Sequence, residues 1–167
     1  MDLLKLEIPL SFIEAQLGEA TWRDIQFGLE QDLVSPEAAR DLALKQLEHA
    51  DPSPALLDLA TSDGSAVILP LVHQLAQTEP GDDDVKDRWL FLALAWLFER
   101  RNELEDPLEA IEIAYADFDY PEKIAGFVRY MPSEEPDLGD PAKNRDRLLG
   151  RWERFLHDER QRLVSSA

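Results

Sequence analysis

The sequence contains no cysteine among its 167 residues, and this absence excludes several kinds of site at once. Disulfide bonds, thiolate zinc sites and cysteine nucleophiles all need a residue that this chain does not have. Long hydrophobic runs are missing too, because the longest covers residues 89–98 and a membrane-spanning helix needs about 20 apolar residues. The three histidines, His49, His73 and His157, lie far apart and lack metal-ligand spacing, so we expect them to serve packing or to lie at the surface.

Sequence motifs for catalysis are also absent. The chain has neither of the glycine-rich patterns that hold phosphates, no Gly-x-Ser-x-Gly nucleophile turn and no Glu-x-x-His pair of a di-iron bundle. Asp82, Asp83 and Asp84 lack the alternation and final glutamate of a calcium loop, and acids at a helix start are already favored by the helix dipole. We therefore predict a protein that is not an enzyme and binds no metal or cofactor. A metal-dependent hydrolase built from the acidic residues is a third-ranked alternative.

Basic residues are scarce relative to acidic ones. The chain has 35 acidic and 17 basic residues, which gives a formal net charge of -18. A field of this sign repels nucleic acids and anionic membranes, whereas it attracts basic proteins and speeds their encounter. We predict a basic protein partner, and neither nucleic acid nor membrane. The plainer alternative is that the acidity only keeps the protein soluble.

The positive charge that is present is concentrated at the end of the chain. Residues 143–167 contain seven basic and four acidic side chains and carry a net charge of +3, so the remainder carries -21. One explanation is a basic terminal helix that lies against an acidic body, and another is a small nucleic-acid-binding patch. The sequence favors the first explanation, because no aromatic platform or glycine-rich loop accompanies the basic residues.

The length and the beginning of the chain indicate how it is organized. A chain of this length with 44% hydrophobic residues can bury a real core, which predicts one domain over residues 1–167. Residues 1–10 lack the basic region and apolar run of a secretory signal. We therefore expect a soluble cytoplasmic protein, with its oligomeric state left open.

Helix-start signals recur along the chain. Thr21 and Asp24 have the spacing of a capping box, with aspartate in place of the usual glutamate. Ser35 and Pro36 predict another start, at which the serine side chain caps the helix and proline occupies its first turn. The expected apolar face of this second helix consists of three leucines, Leu42, Leu44 and Leu47.

The middle of the chain predicts a buried helix. Residues 89–98 are apolar on every side, so this helix should be surrounded by others, and we expect it to begin at Gly81 and end near Leu104. Only residues 3–8 alternate as a strand would, and one strand cannot form a sheet. The sequence predicts an all-α fold of about eight or nine helices, and antiparallel pairs around the central apolar helix are one arrangement that this pattern allows.

Residues 115–132 form the most informative segment, because five aromatic residues, three acids and two prolines meet there at a predicted corner between helices. Tyr115 and Phe118 continue the buried face of the preceding helix, and Asp119 is a candidate cap for the next one. Exposed aromatic and charged side chains at a corner are typical of a recognition surface. The candidate partner-binding residues are Asp117, Asp119, Tyr120, Glu122, Arg129 and Tyr130.

The same corner also has a purely structural interpretation. Arg129 and Tyr130 lie off the apolar face of their segment, so Arg129 could pair with Asp117 or Asp119 and pin the corner in place. Aromatic packing would then complete a stable turn that binds nothing. The sequence leaves both interpretations open.

Residues 115–132, together with the preceding Trp-Leu-Phe-Leu-Ala-Leu-Ala-Trp-Leu-Phe at 89–98, resemble a small bacterial family of uncharacterized, all-helical cytosolic domains. The likeness lies mainly in residues 85–132. Proteins of this kind are associated by gene neighborhood with immunity proteins of polymorphic-toxin and contact-dependent inhibition systems. The resemblance implies that the chain neutralizes a toxin by binding and occluding it, and it implies no catalytic residue. The alternative is an α-helical interaction or assembly module with an unrelated role.

Overall fold

The fold is all-helical in the computed structural model, which describes residues 5–49, 51–133 and 135–166. Within these residues it has eight α-helices, one 3-10 helix and no strand, so the predicted fold class is confirmed. The α-helices are α1 (Leu10–Leu17), α2 (Trp22–Glu30), α3 (Pro36–Leu47), α4 (Pro54–Thr61), α5 (Ser65–Ala76), α6 (Val85–Glu99), α7 (Pro107–Asp117) and α8 (Pro141–Ser165), and the 3-10 helix is Glu122–Phe127.

The chain divides into two compact units, Lys5–Trp89 and a second one that begins at Leu90, so the boundary falls inside α6. In the first unit, α2 packs on α5, and α3 and α5 both pack on α4. In the second unit, the 3-10 helix packs on α7 and α8. The division into compact units does not test the number of domains. The single domain and the antiparallel pairing of helices therefore stay predictions.

The first unit begins with an extended segment that makes no strand. The backbone N–H of Leu6 donates to the carbonyl of Asp32 at 3.1 Å, and that of Ile8 donates to the carbonyl of Leu33 at 3.0 Å. Two such bonds are too few for a ladder, and Ile8 is fully buried, so burial holds the segment in place. The first two residues of the predicted alternating stretch lie outside the described residues.

Helix α2 begins with two independent caps. The predicted capping box is confirmed: the hydroxyl of Thr21 accepts from the backbone N–H of Asp24 at 3.1 Å, and the carboxylate of Asp24 accepts from that of Thr21 at 3.1 Å. The carboxylate of Glu79, which is distant in sequence, accepts from the backbone N–H groups of Trp22 and Arg23 at 3.2 and 3.0 Å. A negative charge at a helix N-terminus also interacts favorably with the helix dipole.

Helix α2 also contains a buried glycine, Gly28, whose lack of a side chain lets the ring of Trp89 pack closely against the helix. A Cβ built on Gly28 would lie 2.6 Å from Cζ2 of Trp89, whose ring is fully buried. Trp89 is held from the other side, because its Nε1 donates to the carbonyl of Asp24 at 2.9 Å. The ring therefore cannot move away from an added methyl group without a loss of packing.

We expect Gly28→Ala to lower the free energy of unfolding by about 1–3 kcal/mol, because overpacking outweighs the better helix propensity of alanine. Gly150→Ala is the control, since Gly150 lies within α8 with nothing within 4 Å of its Cβ position. That change should raise stability by about 0.5–1 kcal/mol. Urea unfolding of the two variants checks both signs, and two changes of the same sign would contradict the packing argument.

Three local predictions for the first unit and α6 were wrong. Ser35 is at the start of α3, but its side chain accepts no capping hydrogen bond. Leu44 is 53% exposed, because α3 turns Ala39 and Ala43 inward together with Leu42, so small side chains form much of the buried face. The apolar run is buried as expected, but α6 begins at Val85 and ends at Glu99 rather than covering residues 81–104.

The boundaries of α6 have a physical reason. Asp82 does not lie in the first turn, because its carboxylate binds the side chain of Arg88 and accepts from the backbone N–H of Asp84 at 2.9 Å. That local turn competes with the helix over residues 81–84. At the other end, the side chain of Arg100 donates to the carbonyl of Trp96 at 3.2 Å, which satisfies one of the last carbonyl groups of the helix.

In the second unit, α8 makes ion pairs of both polarities. Arg147 and Arg151 of α8 pair with Glu135 at 3.4 and 2.8 Å, whereas Glu159 of α8 supplies the acid to Lys123 at 3.3 Å, so the internal explanation of the basic terminal helix stays a prediction. The segment after Pro121 is a 3-10 helix rather than an α-helix. Of its expected apolar face, Ile124, Phe127 and Val128 are buried, whereas Met131 is half-buried.

Candidate functional site

Helix α7 ends in a Schellman motif that sets the geometry of the corner. The backbone N–H of Tyr120 donates to the carbonyl of Tyr115 at 2.8 Å, and that of Asp119 donates to the carbonyl of Ala116 at 3.2 Å. These two bonds satisfy carbonyl groups that the last turn of a helix leaves without partners. They also bring the ring of Tyr120 back onto Tyr115, with centroids 5.2 Å apart and planes at 86°.

The backbone at this corner has two consecutive residues in the left-handed region, neither of which is glycine. The φ angle is 61° at Asp119 and 57° at Tyr120. A Schellman motif usually has glycine at the position of Asp119, because a Cβ costs about 1–2 kcal/mol in this region and somewhat less for aspartate. Strained residues that persist at an exposed site are grounds for a functional hypothesis.

The backbone strain can be measured with a pair of substitutions. We expect Asp119→Gly to be more stable than Asp119→Ala by about 1–2 kcal/mol, because both lose the carboxylate but only alanine keeps a Cβ in the left-handed region. The difference between the two variants in urea unfolding isolates the backbone term. Equal stabilities would show that Asp119 is not held in this conformation.

Three tyrosines form the aromatic part of the site, and we call Tyr115, Tyr120 and Tyr130 the tyrosine corner. Tyr115 is buried, whereas Tyr120 and Tyr130 are 61% and 57% exposed. The rings of Tyr115 and Tyr130 have centroids 6.1 Å apart, within the range of favorable aromatic contacts. Desolvation raises the pKa of Tyr130, and the neighboring Tyr115 and Tyr120 act in the same direction.

Arg129 binds two acids that the sequence did not indicate. Its guanidinium contacts Glu112 through Nε at 3.0 Å and Asp106 through Nη1 at 3.0 Å. The structural interpretation expected Asp117 or Asp119 as the partner of Arg129, and the ion pairs are with other acids. Hydrogen bonds to Glu112 and Asp106 raise the pKa of Arg129. Burial acts to raise the pKa of Asp106, but the hydrogen bonds from Arg129 and from the backbone N–H groups of Glu109 and Leu108, together with the charge of Arg129, overcome it and lower the pKa.

The remaining candidate residues lie around the tyrosine corner. Asp117 is half-buried in the last turn of α7, Asp119 is exposed, and Glu122 is exposed in the first turn of the 3-10 helix. The predicted capping role of Asp119 was wrong, because Pro121 takes the N-cap position and no side chain caps the 3-10 helix. The corner is therefore a pair of exposed phenols with acids on both sides along the chain.

Sequence reasoning missed part of this site. Tyr115 was assigned to the core alone, whereas it also supports both exposed tyrosines. Its spacing of five residues from Tyr120 is the signal that could have found it, because a Schellman motif joins residues five apart. Asp106 and Glu112 gave no such signal, since their contacts with Arg129 cross 23 and 17 residues.

No described part of the chain offers an obvious metal site. The residues that the structure describes contain no group of three or more His, Cys, Asp or Glu side chains able to hold a metal ion. Two of the histidines instead contact glutamines, with His73 within 2.9 Å of Gln26 and His157 within 3.3 Å of Gln161. None of the described helices is both long and apolar enough to cross a bilayer.

Comparison with known protein families identifies the family of this chain. Residues 10–160 match the model of DUF2247, described as an uncharacterized protein conserved in bacteria, and this match covers most of the sequence. The chain belongs to the DUF2247 family. The predicted membership in an uncharacterized bacterial family is thereby confirmed, and the matched region of DUF2247 includes the whole tyrosine corner. A search of curated proteins and of solved structures found no significant match.

Proposed function

We propose that the chain is a non-catalytic binding protein, an immunity protein that neutralizes a cognate bacterial toxin by occluding it. The observation that carries the proposal is the tyrosine corner, where the exposed rings of Tyr120 and Tyr130 both contact the buried Tyr115 and the backbone at Tyr120 is left-handed. Tyrosine offers a large contact area with few rotatable bonds, and it is enriched among residues that dominate binding energy.

The charge supports a basic partner. The formal net charge is -18, and Asp117, Asp119 and Glu122 follow α7 through the corner. Complementary charge speeds association and disfavors wrong partners. A basic toxin would bind with its cationic surface toward the acids and apolar groups against Tyr120 and Tyr130, and the bound protein would block access to its active site without any turnover.

Co-expression with a neighboring gene tests the function. We expect a toxic product of a gene adjacent to the one for this chain to stop growth, and the wild-type chain to restore it. The double variant Tyr120→Ser/Tyr130→Ser should bind that product at least about 30-fold more weakly, because loss of a central aromatic contact costs about 2 kcal/mol or more. Isothermal titration with the purified partner gives the affinity.

The matched control removes equally exposed apolar side chains elsewhere. Leu44 and Val67 are 53% and 51% exposed and belong to the first unit, so Leu44→Ser/Val67→Ser changes comparably exposed side chains that are not part of the corner. This control should keep full affinity and full protection. If the control loses protection and the tyrosine variant keeps it, the corner is not the binding site. If the product of the adjacent gene stops growth equally with and without this chain, the immunity role is rejected.

An α-helical assembly module is the second candidate, and a specific observation favors it. Leu44, Leu57, Val67 and Leu69 are exposed on α3, α4 and α5, which pack on one another in the first unit. Exposed aliphatic groups of this kind suit self-association or another helical partner. Sedimentation of wild type against Leu57→Ser/Val67→Ser separates the candidates, since assembly through this surface predicts a loss of mass that the immunity role does not.

A further inference from the structure

A cavity in the second unit lies outside the tyrosine corner and has no role in the function proposed above. Its volume is about 610 Å3, and it is lined by the 3-10 helix, the loop that follows it and α8. This size falls within the range of about 300–1,000 Å3 typical of small-molecule sites. The lining combines an apolar part, which includes Val128, Met131 and Leu148, with two arginines of α8.

The two arginines share a single carboxylate. Arg147 and Arg151 are four residues apart on one face of α8, and their side chains are only 20% and 23% exposed. Oε2 of Glu135 lies 2.8 Å from Nη2 of Arg151 and 3.4 Å from Nη1 of Arg147. The Glu135 side chain is itself 57% exposed, so a solvated carboxylate balances two largely buried charges.

The backbone fixes both guanidinium groups in place. Nη1 of Arg147 donates to the carbonyl of Pro136 at 2.9 Å, and Nη1 of Arg151 donates to that of Gly126 at 2.8 Å. Nε of Arg147 is buried and has no acceptor among the described residues. The arginines are thus positioned in advance, which lowers the ordering cost of binding a carboxylate in place of that of Glu135.

The other charged groups of the lining have their hydrogen-bond partners outside the arginine pair. Asp137 accepts from Nδ2 of Asn144 and from the backbone N–H of Gly139, both at 2.7 Å, and the hydrogen bond from Asn144 lowers its pKa. The nearby charge of Arg147 is a further, smaller cause that lowers the pKa of Asp137. Arg129 is paired with Glu112 and Asp106. Within the described part of the chain, Glu135 is therefore the acid that an incoming anion would displace from Arg147 and Arg151.

We propose that this cavity binds a small organic monocarboxylate with an apolar body. The ligand carboxylate takes the place of Glu135 on Arg147 and Arg151, and its apolar part lies against Val128, Met131 and Leu148. A doubly charged anion such as phosphate fits less well, because the net charge of -18 repels it more strongly and the apolar lining offers it nothing.

Calorimetric titration of the full chain with octanoate tests the site, with its neutral isostere octanamide and inorganic phosphate as comparison probes. Octanoate should bind at least about tenfold more tightly than either probe. Glu135→Gln should bind octanoate about tenfold more tightly than wild type, since the competing carboxylate is gone. Arg151→Gln should bind it at least about tenfold more weakly.

Glu153→Gln is the matched control, because it removes the same charge from an exposed residue of α8 outside the cavity lining. It should leave the affinity for octanoate near that of wild type. Equal effects of Glu135→Gln and Glu153→Gln would overturn the proposal, as would octanamide or phosphate binding as tightly as octanoate, or no octanoate binding to Glu135→Gln. If Arg151→Gln does not fold, the comparison of the two glutamate variants decides alone.

Discussion

Replacing Arg88 with methionine is expected to lower the free energy of unfolding by about 3–5 kcal/mol, because it leaves a buried carboxylate without its charged partner. Asp24 is 4% exposed, and the guanidinium of Arg88 contacts its Oδ1 through Nε at 2.9 Å and Nη2 at 2.6 Å. The same guanidinium binds Oδ2 of Asp82 at 2.5 Å. Urea unfolding followed by tryptophan fluorescence measures the loss.

The control for this change is an exposed arginine. Arg145→Met removes the same charge and leaves an aliphatic chain of similar length, but Arg145 lies on the exposed side of α8. We expect it to change stability by less than about 0.5 kcal/mol. A comparable loss in both variants would mean that net charge, rather than the contact with Asp24, explains the effect of Arg88.

Acid provides a second check on the Arg88 site. The hydrogen bond from Arg88 lowers the pKa of Asp82, even though partial burial acts in the opposite direction. A lowered carboxyl pKa in the folded state adds stability that is present above the unfolded pKa of about 4 and is lost as the pH falls through the folded value. The difference in free energy of unfolding between wild type and Arg88→Met should therefore become smaller below about pH 4. A constant difference would contradict an electrostatic role.

Trp152→Ala is expected to cost about 3–5 kcal/mol, because it leaves a large cavity in the second unit. Trp152 is fully buried, and its ring meets Phe98 edge-on with centroids 5.1 Å apart and planes at 77°. Both residues belong to the second unit. Thermal unfolding gives the loss relative to wild type.

Trp152→Phe separates packing from hydrogen bonding at the same position. Nε1 of Trp152 is buried and has no acceptor among the described residues. Phenylalanine keeps most of the ring and removes that unpaired donor, whose burial costs about 1–3 kcal/mol. We expect a loss of less than about 1.5 kcal/mol. A loss as large as that of alanine would show that the indole N–H has found an acceptor, such as a bound water molecule.

Features set by neighboring residues could be predicted from the sequence. The capping box of Thr21 and Asp24 and the start of α3 at Pro36 depend on residues at most three apart, and both are confirmed. The burial of Tyr115 and Phe118 follows from helical periodicity alone. These features need no knowledge of the rest of the fold.

The choice of distant partners could not be predicted. The chain has 35 acids, and nothing local tells which of them Arg129 or Arg88 contacts. The Schellman motif at the end of α7 could not be predicted for another reason. Asp119 occupies the position at which this motif usually has glycine. The exposure of Leu44 depends on which helices pack against α3, which is likewise a property of the whole unit.

The second cap of α2 has a consequence for how the protein is made. Trp22 and Arg23 leave the ribosome more than 50 residues before Glu79, whose carboxylate their backbone N–H groups need. During synthesis the beginning of this helix must rely on Thr21 and solvent until Glu79, which follows α5, has left the ribosomal exit tunnel. A nascent chain with Glu79 still inside the tunnel should therefore hold α2 only loosely, and the emergence of Glu79 becomes the step that completes the cap of the helix.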